Sequence, residues 1–413
     1  MKIGKAIRNK FTNKENIDLF VHTIFNYIDK IVNLLSPLLV IKFLHNQLLY
    51  NKIEYILSSA LILSVLIDFG LSSYYFYGYR QSEFKEKYIL SVEKCFLLLY
   101  TVQVFLVIVL VSVYFVTLNQ ALIIYICLFI RTLFLSYTNF KFNTYRMIDR
   151  PSAIFFITIP VNLFAFSLFY ILYKYQSPQV LYYFLGLFLF EIGYTVSALI
   201  KHKHFDIKSL WNLLKVSFFF AWPVMVNVFI INTIGNYGKI YAYQNLTPSA
   251  MTSLSLMQRF MVIITLAHTA SNSFYLKKIF DTKEVKLDFQ IFKKYTSGMI
   301  SSTFLVVLCV VINNAFHVVV KLPLDFSFAF LTLFFVLSSY TGFLGTYFTV
   351  LNKNNLRMIT SVITIVIYMG GLWLIKPVTL FQLTLIMLVT IVLNLFYIIG
   401  FLLNNKVIKF SFL

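Results

Sequence analysis

Cysteine, acidic side chains and recognisable catalytic motifs are scarce in this sequence. It has three cysteines and 15 aspartates and glutamates among 413 residues. The cysteines lie in apolar runs, which indicates neither a disulfide framework nor a metal site. There is no phosphate-binding G-x-x-x-x-G-K-[ST] loop and no zinc-binding H-E-x-x-H motif. We therefore expect no ATP hydrolysis, no metal-dependent glycosyl transfer, no metal and no cofactor.

Apolar residues make up most of the chain. Hydrophobic residues account for 60% of it and charged residues for 12%, and the mean hydropathy is +0.81. This balance excludes an ordinary soluble domain and indicates a polytopic membrane protein. The net charge of +20 would suggest nucleic-acid binding in a soluble protein. In a membrane protein, basic cytoplasmic loops explain it better, so we expect no nucleic-acid partner.

Long apolar runs predict an all-α integral membrane fold with about twelve spanning helices. The approximate spans are 19–43, 55–75, 89–116, 121–137, 153–173, 180–200, 216–240, 251–274, 296–316, 326–351, 358–375 and 380–403. With the N-terminus in the cytoplasm, most of the 35 lysines and arginines fall in cytoplasmic segments, and both termini lie inside. The basic segment 201–211 is the best candidate linker. It predicts an N-terminal six-helix bundle at 1–202 and a C-terminal one at 203–413.

The first predicted span carries polar residues at helical spacing. At steps of four, three and four these are His22, Asn26, Asp29 and Asn33, with Lys30 and Ser36 beside them. A polar stripe on a spanning helix must face other helices or a wet cavity. We interpret it as the lining of a cavity; the alternative is packing between helices through hydrogen bonds.

The seventh predicted span bears a comparable stripe. Asn232, Asn236 and Lys239 follow one another at steps of four and three, and Pro223 lies in the same helix. Two halves that begin alike favour parallel repeats with a substrate path between them, although coincidence is the alternative. Lys239 itself lies near a helix end and is interpreted as an interfacial anchor.

Two arginines lie inside predicted spans. Arg259 is placed near the midplane in the eighth span, where an arginine is too costly to face lipid. It is interpreted either as a substrate ligand or as half of a buried salt bridge, with Asp29 or Glu191 as the expected partner. Arg131 lies deeper towards the cytoplasm in the fourth span, and its side chain either reaches the membrane surface or has a functional role.

Three acidic residues in or near the predicted spans are candidates for binding a coupling ion. Glu191 lies near the middle of the sixth span without a basic neighbour one turn away, and it either pairs across helices or carries the ion. Asp29 is adjacent to Lys30, which can pair with it. Asp68 lies near the inner end of the second span, where a structural role at a helix end is favoured over a chemical one.

Two stretches carry a family resemblance. The stretch 33–73 ends its apolar run with Asp68, Phe69 and Gly70, and the stretch LTPSAMTSLSLMQRF ends in the basic residue Arg259. They resemble the opening helix pair and the entry to the eighth helix of the Wzx-type polysaccharide flippases, which belong to the multidrug/oligosaccharidyl-lipid/polysaccharide (MOP) exporter superfamily. Chain length, helix count and topology are similar along the whole chain.

The resemblance implies two six-helix bundles, as in the MATE-like fold, around a central cavity in the bacterial inner membrane. It implies movement of an undecaprenyl-pyrophosphate-linked oligosaccharide, for O-antigen or capsular polysaccharide, by ion-coupled alternating access and without enzymatic chemistry. Taken with the residues above, the expected substrate ligands are Arg259, Lys30, Arg131, Asn26, Asn33, Asn232 and Asn236, and the expected ion-coupling residues are Asp29, Glu191 and Asp68. The expected partners are the lipid-linked substrate and membrane lipids, with a polysaccharide polymerase and a chain-length regulator as further candidates.

Three other functions compete with this interpretation. A drug exporter of the same superfamily is the nearest, although a cavity with Arg259 and Lys30 disfavours cationic drugs. A membrane enzyme such as an O-antigen polymerase or an acyltransferase is second, although polymerases usually have a large outer loop and this chain has none predicted. A purely structural scaffold is third, and a buried polar stripe disfavours it.

Overall fold

A computed structural model describes residues 36–148, 151–175, 179–202, 205–281, 287–317, 321–351, 353–405 and 407, and also the pairs 24–25, 28–29 and 32–33. All regular structure in these residues is helical, with no strand among them, which confirms the predicted all-α class. Part of the first predicted span, including Asn26 and Lys30, lies outside the described residues.

Among the described residues, twelve helices follow the helical residues 36–44. They are α1 (Gln47–Leu63), α2 (Leu71–Gln81), α3 (Lys85–Thr117), α4 (Gln120–Met147), α5 (Phe155–Leu172), α6 (Gln179–Lys201), α7 (Ile207–Asn245), α8 (Pro248–Asp281), α9 (Phe289–Phe316), α10 (Phe326–Val350), α11 (Asn354–Ile375) and α12 (Leu380–Asn404). Within the described residues, the ten helices α3 to α12 are long and apolar enough to cross a bilayer. The chain is therefore a multi-pass membrane protein.

The second predicted span is not one continuous helix. Between α1 and α2 the chain turns at residues 64–70, where Phe69 has a φ of 50° and Gly70 a φ of 80°. The Asp68 carboxylate accepts hydrogen bonds from the backbone N–H groups of Gly70 (3.0 Å) and Ser72 (3.3 Å). Both bonds satisfy amides at the start of α2 that have no helical partner. The prediction of a single helix at 55–75 is therefore wrong, because the Asp68 side chain stabilises a turn inside an apolar run.

The chain divides into two compact units. The first comprises Met1–Val40 and Ser59–Trp222, and the second comprises Ile41–Ser58 and Pro223–Leu413. The last of the three boundaries along the chain falls at Pro223, inside α7, where proline removes one backbone hydrogen bond of the helix. The predicted division after residue 202, which rests on the composition of the linker, stays a prediction.

In the first unit, α6 packs against α3, α4 and α5. The closest approach is between α6 and α5, where a Cβ atom added at Gly186 would overlap the backbone of Ala165. Small residues at such crossings let two helix backbones touch, which is a common source of stability in membrane proteins. Aromatic rings fill the interface of α3 with α4, where Phe96 and Phe140 stack with centroids 3.9 Å apart.

In the second unit, α10 packs against α8, α9, α11 and α12. The fully buried Tyr295 of α9 stacks on Phe343 of α10, with ring centroids 4.3 Å apart. Its hydroxyl group donates to the backbone oxygen of Ser339 (2.8 Å) and lies 2.7 Å from Nδ1 of His268. His268 thus takes part in packing and hydrogen bonding between α8 and α9.

Candidate functional site

The second unit contains a buried cluster of three charged side chains, which we call the Glu54 triad: Glu54 of α1, Lys239 of α7 and Arg259 of α8. Lys239 Nζ lies 3.1 Å from Glu54 Oε2. Arg259 donates from Nε to Glu54 Oε1 at 2.5 Å, and one of its terminal nitrogens contacts the same oxygen. Glu54 is 1% exposed, and Lys239 and Arg259 are each 8% exposed. Three helices distant in sequence therefore meet at one carboxylate.

Neutral polar side chains join α1 to α8 next to the triad. Gln47 Nε2 donates to Thr252 Oγ1 at 2.8 Å, and Thr252 Oγ1 donates to Asn51 Oδ1 at 3.0 Å. Asn51 Nδ2 donates to the backbone oxygen of Pro248 at 2.9 Å. Residues 47, 51 and 54 lie on one face of α1 by helical periodicity, so the same face carries these amides and the Glu54 carboxylate. This alignment places Glu54 opposite Arg259.

Apolar residues surround Arg259 on α8. At helical spacing from it, Leu256 is 1% exposed and Val262 and Ile263 are half-buried, with the small buried Ser255 beside them. One turn before Glu54, the fully buried Tyr50 has a hydroxyl group without a hydrogen-bond partner in the described part of the chain. The triad therefore lies in a largely apolar environment, where charges are expensive unless paired.

The triad has one more positive charge than negative charge. Among the described residues, the Glu54 carboxylate contacts both Lys239 and Arg259, so one negative charge faces two positive charges. In a low-dielectric environment an excess charge of this kind favours binding of an anion. The planar guanidinium group of Arg259 is suited to phosphate oxygens because it can donate two parallel hydrogen bonds.

Two predictions about these residues are wrong. The expected salt-bridge partner of Arg259 was Asp29 or Glu191, but the structure pairs it with Glu54. Lys239 was interpreted as an interfacial anchor, but it is buried in the triad because α7 extends to Asn245, so Lys239 is not at the helix end. Glu54 was not predicted at all; its only signal was the scarcity of acidic residues beside long apolar runs.

The first unit brings three predicted residues together around Asp29. Asp29 is 7% exposed and accepts a hydrogen bond of 2.6 Å from the Thr158 hydroxyl group. Asn33 donates to the backbone oxygen of Asp29 at 2.9 Å, and Arg131 donates to Asn33 Oδ1 at 3.4 Å. Asn162 completes the group by donating to the Thr158 backbone oxygen at 2.8 Å.

Glu191 of α6 lies in a different environment in the same unit. It is fully buried, and neither carboxylate oxygen has a hydrogen-bond partner among the described residues. Arg131 is close enough to interact with it electrostatically. The hydroxyl groups of Tyr100 and Thr195 are also buried without partners in the part of the chain that is described. Buried polar groups without partners are uncommon and point to a functional role or to small-ligand exchange.

Of the remaining predicted residues, those that the structure describes make local hydrogen bonds with the backbone of a helix or a turn. Asn236 Nδ2 donates to the Asn232 backbone oxygen at 2.9 Å, and both residues are half-buried on α7. The Asp68 carboxylate accepts hydrogen bonds from two backbone N–H groups at the start of α2. Asn26 and Lys30 lie outside the described residues.

The chain is similar to known proteins in its structure, whereas its sequence matches none of those compared. No protein-family profile matches the sequence, and no curated protein matches it. The structure is similar to an inward closed conformation of the lipid II flippase MurJ, with a TM-score of 0.66 and 15% identity over 94% of this chain and 87% of that one. It is also similar to a multidrug resistance MATE family transporter of the MOP superfamily, outward-facing (TM-score 0.54, 13% identity, 94% and 93% coverage) and inward-facing (0.53, 13%, 93% and 95%). The chain therefore has the fold of these MOP-superfamily transporters.

Proposed function

We propose that this protein is a flippase, not an enzyme, that moves an undecaprenyl-pyrophosphate-linked oligosaccharide repeat unit across the bacterial inner membrane by alternating access. The observation that carries the proposal is the excess positive charge of the Glu54 triad. The substrate is an anion at its pyrophosphate and a polyol at its sugars. A flippase for another lipid-linked substrate, lipid II, has a similar fold.

In this role Arg259 is the principal pyrophosphate ligand, with Lys30 and Arg131 as further cations. The amides of Asn26, Asn33, Asn232 and Asn236 hydrogen-bond sugar hydroxyl groups. Glu191 and Asp29 are the residues for ion coupling, because both are buried acids outside the triad. Asp68 is a weaker candidate, since two backbone amides occupy its carboxylate. Both termini are cytoplasmic, and a polymerase and a chain-length regulator receive the flipped units.

A drug exporter is the second candidate, favoured by the similarity to multidrug transporters. Exporters of cationic drugs need a site that attracts positive charge. The Glu54 triad has the opposite excess charge, so a cationic substrate is disfavoured at this place.

Arg259→Ala tests the proposal in a strain whose only copy of the gene carries the variant. We expect normal protein abundance, since Lys239 still neutralises Glu54, together with loss of surface glycan and accumulation of lipid-linked repeat units on the inner leaflet. Arg259→Lys should restore transport partly, because an ammonium group keeps the charge and loses the bidentate geometry. Lys208→Ala, at an exposed lysine, is the matched control and should behave as wild type.

Two outcomes would contradict the proposal. Full transport by Arg259→Ala at normal abundance would exclude Arg259 as a substrate ligand. If Arg259→Ala has low abundance but transports at the wild-type rate per molecule of protein, Arg259 has a purely structural role. Repeat units that reach the outer leaflet of a deletion strain without being polymerised would support the polymerase alternative.

A further inference from the structure

A second cationic position exists in the second unit, in a cavity that the proposed transport site does not use. The cavity lies among α7, α10, α11 and α12. Arg357, in the first turn of α11, is the one charged residue among the described residues that line it. None of the Glu54 triad lines this cavity.

The guanidinium group of Arg357 has no protein acceptor in the part of the chain that is described. Arg357 is half-buried, and no hydrogen bond or ion pair is made by its side chain to any described residue. The guanidinium packs on α10 at Gly345, where an added Cβ atom would lie 3.1 Å from a terminal nitrogen and 3.3 Å from Nε. A guanidinium group has five N–H donors, and leaving them unsatisfied away from bulk water is unfavourable. The position therefore suits a ligand that accepts hydrogen bonds and carries negative charge.

Neutral polar groups line the same cavity. The Asn394 side chain of α12 has a buried Oδ1 without a hydrogen-bond partner in the described residues. Ser361 donates to Asn227 Oδ1 at 2.5 Å, which fixes both side chains at the cavity wall. Ser338 adds a half-buried hydroxyl group, and Phe334 and Phe348 form apolar walls.

The donor set discriminates between ligand classes. A metal ion or an ammonium group would require carboxylates, and none is present among the described lining residues. An arginine with amides and hydroxyl groups is typical of phosphate recognition. We propose that this cavity binds a phosphate group, held by hydrogen bonds donated by the Arg357 guanidinium, the Ser338 hydroxyl group and the side-chain amide nitrogen of Asn394. The proposal does not rest on the transport function, since it uses none of the triad residues.

The phosphate can belong to a phospholipid headgroup or to a water-soluble phosphate compound. The test uses the purified full-length protein in detergent with three probes: inorganic phosphate, pyrophosphate and phosphatidylglycerol. Thermal unfolding reports binding of the soluble probes, and native mass spectrometry reports retained lipid, with phosphatidylcholine as the comparison. Selective retention of phosphatidylglycerol identifies a lipid site, whereas stabilisation by inorganic phosphate or pyrophosphate identifies a soluble ligand.

Arg357→Gln should weaken binding of the active probe about 10- to 100-fold, the loss expected for hydrogen bonds to a charged group. Lys353→Gln removes the same charge from an exposed position one turn earlier and should bind as wild type. Gly345→Ala should also weaken binding, because it displaces the guanidinium group and keeps its charge.

Asn394→Asp provides a second measurement in case Arg357→Gln does not fold. It places a carboxylate in the cavity, which should abolish anion binding and raise the unfolding temperature by pairing with Arg357. The proposal is overturned if wild type binds none of the three probes, or if binding by Asn394→Asp or a folded Arg357→Gln equals that of wild type.

Discussion

Glu54 and Glu191 are both buried glutamates, and the groups around them differ in charge. Glu54, in the second unit, contacts two cations and is 1% exposed. Glu191, in the first unit, is fully buried and has no hydrogen-bond partner among the described residues. Uncompensated charge in an apolar environment is expensive, and paired charge is tolerated. The same side chain is thus suited to holding a cationic cluster in one unit and to exchanging a proton in the other.

Under the proposed function, the difference corresponds to the two requirements of ion-coupled transport, a site for the substrate and a site for the ion. An excess of cations near Glu54 favours an anionic group of the substrate. An acid without a hydrogen-bond partner, next to the unpartnered hydroxyl groups of Tyr100 and Thr195, favours a small cation or a proton.

The largest effect is expected for Glu54→Gln. The substitution removes the carboxylate that contacts both buried cations, Lys239 and Arg259, which should lower the free energy of unfolding by about 3–5 kcal/mol. Thermal unfolding in detergent and protein abundance in membranes measure the loss. Glu83→Gln, at an exposed glutamate, is the control. An unchanged unfolding temperature for Glu54→Gln would mean that the triad does not stabilise the fold.

Thr158→Val comes next, because Asp29 in the first unit is stabilised by a hydroxyl group. Loss of the 2.6 Å hydrogen bond to Asp29 should cost about 1.5–3 kcal/mol, the range for bonds to charged groups. Thr101→Val is the matched control, since that hydroxyl bonds only to the backbone of its own helix. Equal unfolding temperatures of the two variants would argue against a stabilising hydrogen bond between Thr158 and Asp29.

Glu191→Gln should cost only about 1 kcal/mol of stability, because no partner is lost when the carboxyl group becomes an amide. Transport should nevertheless fall and lose its dependence on an ion gradient. The measurement pairs thermal unfolding with flipping in vesicles at two external pH values. A stability loss as large as that of Glu54→Gln would show that Glu191 is ionised and paired with Arg131.

The smallest effect is expected at the half-exposed ion pair of Lys141 and Glu93. Its atoms are 2.9 Å apart, as close as those of the triad, but the side chains are 16% and 24% exposed. Lys141→Gln should therefore change the free energy of unfolding by only about 0.2–1 kcal/mol. A cost near that of Glu54→Gln would mean that pairing, independent of burial, determines the stability of these clusters.

Much of the fold was predictable because lipid restricts the backbone to apolar helices. The sixth span was predicted at 180–200 and α6 is Gln179–Lys201; the tenth was predicted at 326–351 and α10 is Phe326–Val350. The seventh was predicted at 216–240, but α7 covers Ile207–Asn245, since polar residues at both ends continue the helix beyond the apolar run. The turn at 64–70 was missed because hydropathy does not register a side chain that bonds to backbone amides.

Of the two paired residues Arg259 and Glu54 in the candidate site, only Arg259 could be predicted from the sequence. Arg259 stood out because an arginine in a span needs a partner or a ligand. Glu54 did not, since its neighbours Asn51 and Lys52 are polar and suggest a loop. The two residues are 205 positions apart, and a sequence gives no direct signal of a pairing at that distance. The net charge of the triad could therefore not be predicted from the sequence.

The contact of Gly186 with Ala165 has a consequence for sequence variation along α6. Because the two backbones touch there, the tolerated side-chain volume at position 186 is essentially zero. Two turns later on the same helix, Gly193 is exposed with no atom within 4 Å of an added Cβ. A library of all twenty residues at each position should give a single permitted residue at 186 and a broad apolar set at 193. The two glycines are identical in the sequence, yet one is a steric requirement and the other is replaceable.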